Sequence, residues 1–176
     1  MEYIGTKWNF MEKKVMLAFC GEEKCTIDAN GRLKLPLQFI DSFLEQDKSG
    51  EIILHCLDEG ALALYGVATF KEMRCRELQQ QERIANSLLM RRNLRRFGAM
   101  SCSETISRQG RITLPESYRN RCALANNSTV VVVGIEIGVE IWNAERWEKE
   151  LAAISDYEKL RAEAEINSSI ERRSMI

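Results

Sequence analysis

The sequence predicts a β-rich α+β fold, a small barrel made from two interlocked, pseudo-symmetric halves. An internal repeat is the first reason. IDANGRLKLP (27–36) and ISRQGRITLP (106–115) share Ile, Gly, Arg, Leu and Pro at matching places, and the chain's two prolines, Pro36 and Pro115, fall at the same place in each. The similarity then continues: EIILHCLDEG (51–60) lies over TVVVVGIEIG (129–138), and the segments that follow pair Tyr65 with Trp142 and Phe70 with Trp147. Finally, each copy spans about 45 residues, too few to bury a core alone, which points to two half-domains and not to a many-repeat array.

Each element has a local cause. A short strand, Cys25–Ile27 or Glu104–Ile106, precedes turn formers at Asp28–Gly31 and Ser107–Gly110. Gly31 and Gly110 supply the positive φ that a tight turn needs. A second strand carries alternating apolar residues, Leu33 and Leu35 or Ile112 and Leu114. The proline ends that strand, having no N–H for a ladder, and opens a helix of one to two turns holding Phe39 and Phe43, or Tyr118 and Cys122. Two apolar strands follow, Ile52–Cys56 with Ala61–Leu64 and Val130–Gly134 with Val139–Trp142. Gly66 and Asn143 are suitable N-caps for the next helices. In the second copy that helix continues with Trp147, Leu151, Ile154, Tyr157 and Leu160 as one apolar stripe, and pattern loss after Ile166 predicts a frayed tail. Between the copies, 70–96 reads as a helical connector with Ile84, Leu88 and Leu94 facing inward and Arg83, Arg91, Arg92, Arg95 and Arg96 facing elsewhere. The organisation is thus an extension (1–16), a first half (17–70), a connector (71–100), a second half (101–150) and a C-terminal helix and tail (151–176).

Composition narrows the function. The 176 residues are 45% hydrophobic and 29% charged, an ordinary globular balance. No apolar run approaches the roughly 18 residues of a membrane span. Glu2, Lys7, Glu12, Lys13 and Lys14 interrupt the N-terminus, so no secretory signal is read and a cytoplasmic location is expected. The net charge is −1, but it is unevenly spread. From Arg74 to Arg111 nine arginines face three glutamates, a local +6, whereas from Glu136 onward ten acids face six bases, a local −4. That asymmetry fits a polyanion-binding face, and equally a solvated helix with mixed neighbours in space.

Catalytic and metal constellations are hard to assemble. The six cysteines, Cys20, Cys25, Cys56, Cys75, Cys102 and Cys122, form no C-x-x-C pair, and the single histidine, His55, has no ligand companion nearby. Reduced, mostly buried thiols are expected. No phosphate-binding, dinucleotide-binding or nucleophile-elbow motif occurs, and His55 within an apolar strand reads as structural. No enzyme, no small-molecule substrate, no cofactor and no metal is expected.

The repeated turn is the feature with chemistry. Arg32 and Arg111 each follow the shared glycine, and a guanidinium's planar fork suits phosphate or a guanine edge. Asp28, four residues before Arg32, is placed to orient that guanidinium, while Lys34 and Arg108 add charge beside the loops. Spacing alone leaves open whether Arg32 and Arg111 meet a polyanion or staple the hairpin through internal ion pairs.

FCGEEKCTIDANGRLKLP (19–36), the R-R-x-x-R-R stretch at 91–96, and VVVVGIEIGVEIWNAERWEKE (130–150) together resemble the MraZ family, over roughly residues 17–155. The resemblance implies two AbrB-like swapped-hairpin halves in one chain, assembling into a homo-oligomeric ring. It further implies a nucleoid-associated transcriptional regulator that binds tandem double-stranded DNA repeats before the division and cell-wall gene cluster, with avidity adding weak contacts. Carried onto this sequence, Arg32 is the leading DNA contact, Arg111, Lys34, Asn30 and Arg108 support it, and Asp28 orients Arg32. Ser107 stands where the second motif has its aspartate, and Asn30 where a lysine is frequent. Two other readings are a protein–protein assembly module that does not use these loops for DNA, and an antitoxin-like regulator, since AbrB-type halves also serve there.

Overall fold

The computed structural model describes residues 18–81 and 87–174. The extension at 1–16, and Arg83 and Ile84 of the connector, lie outside the described residues. Within them the fold is α+β, with a six-stranded antiparallel sheet, a separate two-stranded ribbon and five helices.

The first half begins with β1 (Glu22–Thr26) and β2 (Arg32–Lys34), joined by the glycine turn. Helix α1 (Leu37–Gln46) starts at Pro36 and buries Phe39, Ile40 and Phe43. The hairpin β3 (Glu51–Cys56) and β4 (Leu62–Gly66) follows, and β4 runs directly into α2 (Val67–Gln81) at Gly66. Helix α3 (Leu88–Ala99) is capped by Ser87, whose Oγ accepts the Met90 N–H at 3.1 Å. The second half repeats the order as β5 (Ser101–Thr105), β6 (Arg111–Thr113), α4 (Glu116–Cys122), β7 (Thr129–Gly134), β8 (Val139–Asn143) and α5 (Ala144–Ser174).

The large sheet has the order β1-β7-β8-β4-β3-β5. Its centre is two hairpins joined through β4 and β8. Each half's first strand leaves its own hairpin and pairs with the other's: β1 lies on β7, and β5 on β3. The ribbon also crosses between halves, pairing β2 with β6 so that Leu33 lies opposite Ile112. Their side chains point into one core, which also takes Ile27, Ile52, Leu54, Leu114, Val132 and Ile141. Alternation along each strand accounts for this, since Leu33 and Ile112 point inward while their neighbours point out.

The sheet is open, which corrects the expected closed barrel. Its edges are β1 and β5, and the ribbon remains a separate sheet. The cause is local. Ile27 makes a single bridge to Leu33, and the turn then carries the chain out of the β1 ladder. The exposed charges Glu22, Glu23 and Lys24 on β1 suit an edge strand that must not recruit a neighbour.

Other details also differ from expectation. Strands β1 and β5 begin earlier than the apolar pattern suggests, because their outward residues are polar edge positions. Helix α1 is longer than two turns. Helix α3 turns Met90 inward, while Leu88 and Leu94 are 52% and 41% exposed, so the predicted inward face is corrected. Helix α5 runs on to Ser174 in place of a frayed tail beyond Ile166. Its N-cap is as expected, with Asn143 Oδ1 accepting the Glu145 and Arg146 N–H groups at 3.0 and 3.2 Å. No described helix is long and apolar enough to cross a membrane.

Leu33 is fully buried between the halves. Leu33→Ala is expected to lower the unfolding free energy by about 2–5 kcal/mol, read from urea denaturation; a loss within error would show that the ribbon does not tie the halves together.

Candidate functional site

The two turns share one backbone geometry. Gly31 and Gly110 both have φ of +73°. The Asp28 N–H donates to the Arg32 carbonyl at 2.9 Å, and the Ser107 N–H to the Arg111 carbonyl at 2.9 Å. Each turn also reaches the opposite half: the Leu114 N–H donates to the Gly31 carbonyl at 2.9 Å, and the Leu35 N–H to the Gly110 carbonyl at 3.0 Å. The turns therefore lie at opposite ends of the short ribbon, each against the end of the other half's strand.

Inside each turn the side chain at the first position is the organiser. Asp28 Oδ1 accepts the Asn30 N–H at 2.8 Å and the Arg32 N–H at 2.9 Å. Its partners are backbone amides, and among the described ion pairs none joins it to the Arg32 guanidinium. Asp28 thus shapes the peptide that carries Arg32, a different route from the side-chain pairing expected. The Arg32 N–H foremost, then the Asn30 N–H and the charges of Arg32 and Arg111, hold the Asp28 carboxyl below its ordinary range. At the second turn Ser107 Oγ accepts the Arg111 N–H at 3.0 Å, so a hydroxyl supplies one of the two bonds that the carboxylate makes.

Above the buried Leu33 and Ile112, the ribbon's outer face carries Arg32, Lys34, Arg111 and Thr113, all exposed. Lys34 is directly across from Arg111, and Arg32 from Thr113. Arg32, Arg108 and Arg111 share the lining of one shallow depression of about 440 Å³, together with Glu104, Gln109 and Thr113. Lys34 and Arg108 line a neighbouring groove beside Leu37 and Leu44. Asn30 is exposed at the tip of the first turn. The structure thus gathers Arg32, Lys34, Arg108 and Arg111 along the ribbon and its second turn. None of the four enters an ion pair among the described residues, which favours outward use over stapling. Thr113 and Gln109 escaped the sequence reading, although the alternation that buries Ile112 and Leu114 also places Thr113 beside Arg111.

The arginine-rich connector is different. Arg74 pairs with Glu77, Arg76 with Glu72 at 2.5 Å, and Arg96 with Asp58, so part of the local positive charge is neutralised internally. Arg74 also lies 3.4 Å above the Phe97 ring. His55 stacks on Phe97 with centroids 4.5 Å apart, and its Nδ1 lies 2.8 Å from Ser101 Oγ. Burial, followed by the charges of Arg74 and Arg96, lowers its pKa. Its contacts are those of a packing residue. The cysteines are free thiols: Cys56 and Cys122 are buried, Cys20, Cys25 and Cys102 half-buried, and Cys75 exposed. Among the described residues no cluster of three or more His, Cys, Asp or Glu could hold a metal.

Asp28 yields a pH-dependent expectation. Its folded pKa lies below the unfolded value of about 3.9, so its contribution to stability is whole above that value and drains as pH falls through the lower folded one. Asp28→Ala should therefore be less stable than wild type at neutral pH, with the two curves converging in acid. A gap independent of pH, measured by thermal melting across the acid range, would refute the carboxylate's role.

A family model described as "MraZ protein, putative antitoxin-like" matches residues 99–169. The chain is also similar to three proteins named transcriptional regulator MraZ. That of Herpetosiphon aurantiacus is 32% identical over 143 residues, covering 78% of this chain and 90% of the relative. That of Cutibacterium acnes is 35% identical over 132 residues, covering 74% and 85%. That of Moorella thermoacetica is 30% identical over 158 residues, covering 86% and 99%. With such identity over nearly the full length of these relatives, the chain belongs to the MraZ family.

Proposed function

We propose that this protein is a sequence-specific DNA-binding transcriptional regulator whose contact surface is the β2–β6 ribbon with its two turns. The observation that carries this is the ribbon's outer face, where Arg32, Lys34 and Arg111 stand exposed over a buried Leu33–Ile112 pair. A two-stranded antiparallel ribbon fits the width of the major groove, and guanidinium forks read guanine edges and phosphates there. Arg32 leads, Arg111, Lys34, Asn30 and Arg108 support it, and Asp28 positions Arg32 through the backbone. The names of the relatives support transcriptional regulation. No cofactor or small-molecule substrate enters this reading, and the location is cytoplasmic, on the nucleoid.

The finer reading is that of two AbrB-like halves with exchanged hairpins, forming a ring that engages tandem repeats before the division and cell-wall gene cluster. The strand exchange of β1 and β5 supports the first part. Assembly is supported by apolar side chains without cover: Leu151, Ile154, Tyr157 and Leu160 on α5 are 44%, 42%, 67% and 66% exposed. Such a stripe on a helix that extends past its own sheet suits a second copy of the chain. An assembly module without DNA is the competing reading, and the same stripe would serve it.

Binding of the purified protein to its own upstream DNA, followed by fluorescence anisotropy across a salt series, decides between them. Wild type should bind with a steep salt dependence. Arg32→Ala should lose about 1–3 kcal/mol of affinity with little change in melting temperature. Unchanged affinity would remove Arg32 from the interface, and no binding by intact wild-type oligomers would favour the assembly module. Separately, Ile154→Glu should shift the oligomer to smaller species by light scattering, and an unchanged mass would exclude this face of α5 from the contact.

A further inference from the structure

We propose that Arg119 and Asn126, both from the second half, are positioning residues that hold the first turn, Asp28–Arg32, in its DNA-contact geometry. This rests on the DNA-binding reading above and deepens it. Arg119, on α4, sends its Nε–H to the Leu114 carbonyl at 2.9 Å, and its Nη1 donates to Asn126 Oδ1. Asn126 Nδ2 in turn donates to the Ala29 carbonyl at 2.9 Å, across the boundary between the halves. The Leu114 N–H donates to the Gly31 carbonyl at 2.9 Å. Two hydrogen-bond paths that start at one guanidinium therefore end on the carbonyls of Ala29 and Gly31, flanking Asn30 at the turn's tip.

The guanidinium also lies flat against the turn. A Cβ built on Gly31 would come within 2.8 Å of Arg119 Nε and 3.0 Å of its Cζ. Asp28 organises the turn from within by accepting the Asn30 and Arg32 amides, and Arg119 with Asn126 fixes its other side. Between the two sets, the peptide units that carry Arg32 are tied on both their N–H and their C=O groups.

The second turn has no such clamp. Arg119 stands four residues after Pro115, and the residue four after Pro36 is Ile40. Where Gly31 meets Arg119, Gly110 meets the Ile40 side chain, which offers no hydrogen bond. The Gly110 carbonyl keeps its bond from Leu35, but among the described residues the Arg108 carbonyl has no counterpart to the Asn126–Ala29 bond. With Ser107 in place of an aspartate, the second turn is held by fewer bonds on both sides. The first turn is the pre-organised one, and a rigid contact loses less ordering entropy on binding.

The test uses Asn126→Ala and Arg119→Lys in the full chain. Asn126→Ala removes no charge, so a loss of affinity through positioning should leave the salt slope unchanged. We expect upstream-DNA binding to weaken about three- to tenfold for Asn126→Ala, with the slope of wild type. Arg119→Lys keeps the charge but loses the fork, and should weaken binding similarly. In an Arg32→Ala background Asn126→Ala should cost nothing further, because it acts through Arg32. Amide hydrogen exchange should speed up at Asn30 and Arg32 but not at Gln109 and Arg111. Wild-type affinity in both variants, or full additivity with Arg32→Ala, would overturn the clamp while leaving the DNA reading intact. Failure of wild type itself to bind would overturn the DNA reading and this one together.

Discussion

The exchange of strands between the two halves is the constraint on which the structure depends. Neither half has a complete sheet alone: β1 finds its ladder only on β7, and β5 only on β3. The ribbon is stricter still, because β2 and β6 are three residues each and, among the described residues, form a ladder only with one another. Strands that short contribute few hydrogen bonds, so their position is set by what they bury. Leu33 and Ile112 are 0% and 1% exposed, and they lie opposite one another over the shared core. The cations on the outer face inherit that precision, since alternation fixes which side each residue faces once Leu33 and Ile112 are seated.

Charge placement follows from the same geometry. The chain is nearly neutral, yet two sets of its cations are used differently. On α2 and α3, Arg74, Arg76 and Arg96 form exposed or half-exposed pairs with acids, which contribute little to stability and offset part of the local charge. On the ribbon and its turns, Arg32, Lys34, Arg108 and Arg111 are free of ion pairs among the described residues. Asp28 forms no ion pair with them among the described residues, its carboxylate being directed into the turn where Oδ1 accepts two amides. A short-range positive patch on an almost neutral protein is the arrangement in which binding to a polyanion rests on contact and falls steeply with salt.

Much of this was legible in the sequence, because its signals are steric and local. Glycines at +73° and prolines at helix starts announce themselves, as do the alternating Leu33–Leu35 and Ile112–Leu114 pairs. What escaped depends on neighbours that sequence order does not reveal. The outer strands β1 and β5 begin in polar residues because they are edges, and edge status belongs to the sheet, not to the strand. In α3 the apolar pattern selects Leu88 and Leu94 as readily as Met90, and only the packed sheet chooses Met90. The sheet stays open because β1 meets the ribbon through a single Ile27–Leu33 bridge, and whether a strand continues its ladder past a turn is not encoded in composition. At the site, the positions of Arg32 and Arg111 were readable, whereas the use of the Asp28 carboxylate on backbone amides, and of Asn126 on a carbonyl far away in sequence, were not.

The departures from symmetry bear most directly on function. A perfect two-fold ribbon would present identical contacts at its two ends and favour a palindromic target. Here Arg32 and Arg111 correspond, but Lys34 corresponds to Thr113, and Asp28 to Ser107. A single carboxylate oxygen, Asp28 Oδ1, accepts two amides, while the Ser107 hydroxyl accepts one. On the DNA-binding reading, the end beside the first turn is rigid and presents Arg32 next to Thr113. The end beside the second turn is more loosely held and more cationic, with Lys34 across from Arg111 and Arg108 on the turn. Such a face has a direction, and a directional face matches a target that is not its own reverse complement. Copies arranged head to tail would then meet repeats in the same orientation, and that is the geometry in which tandem sites and an assembly built from one repeated contact reinforce each other.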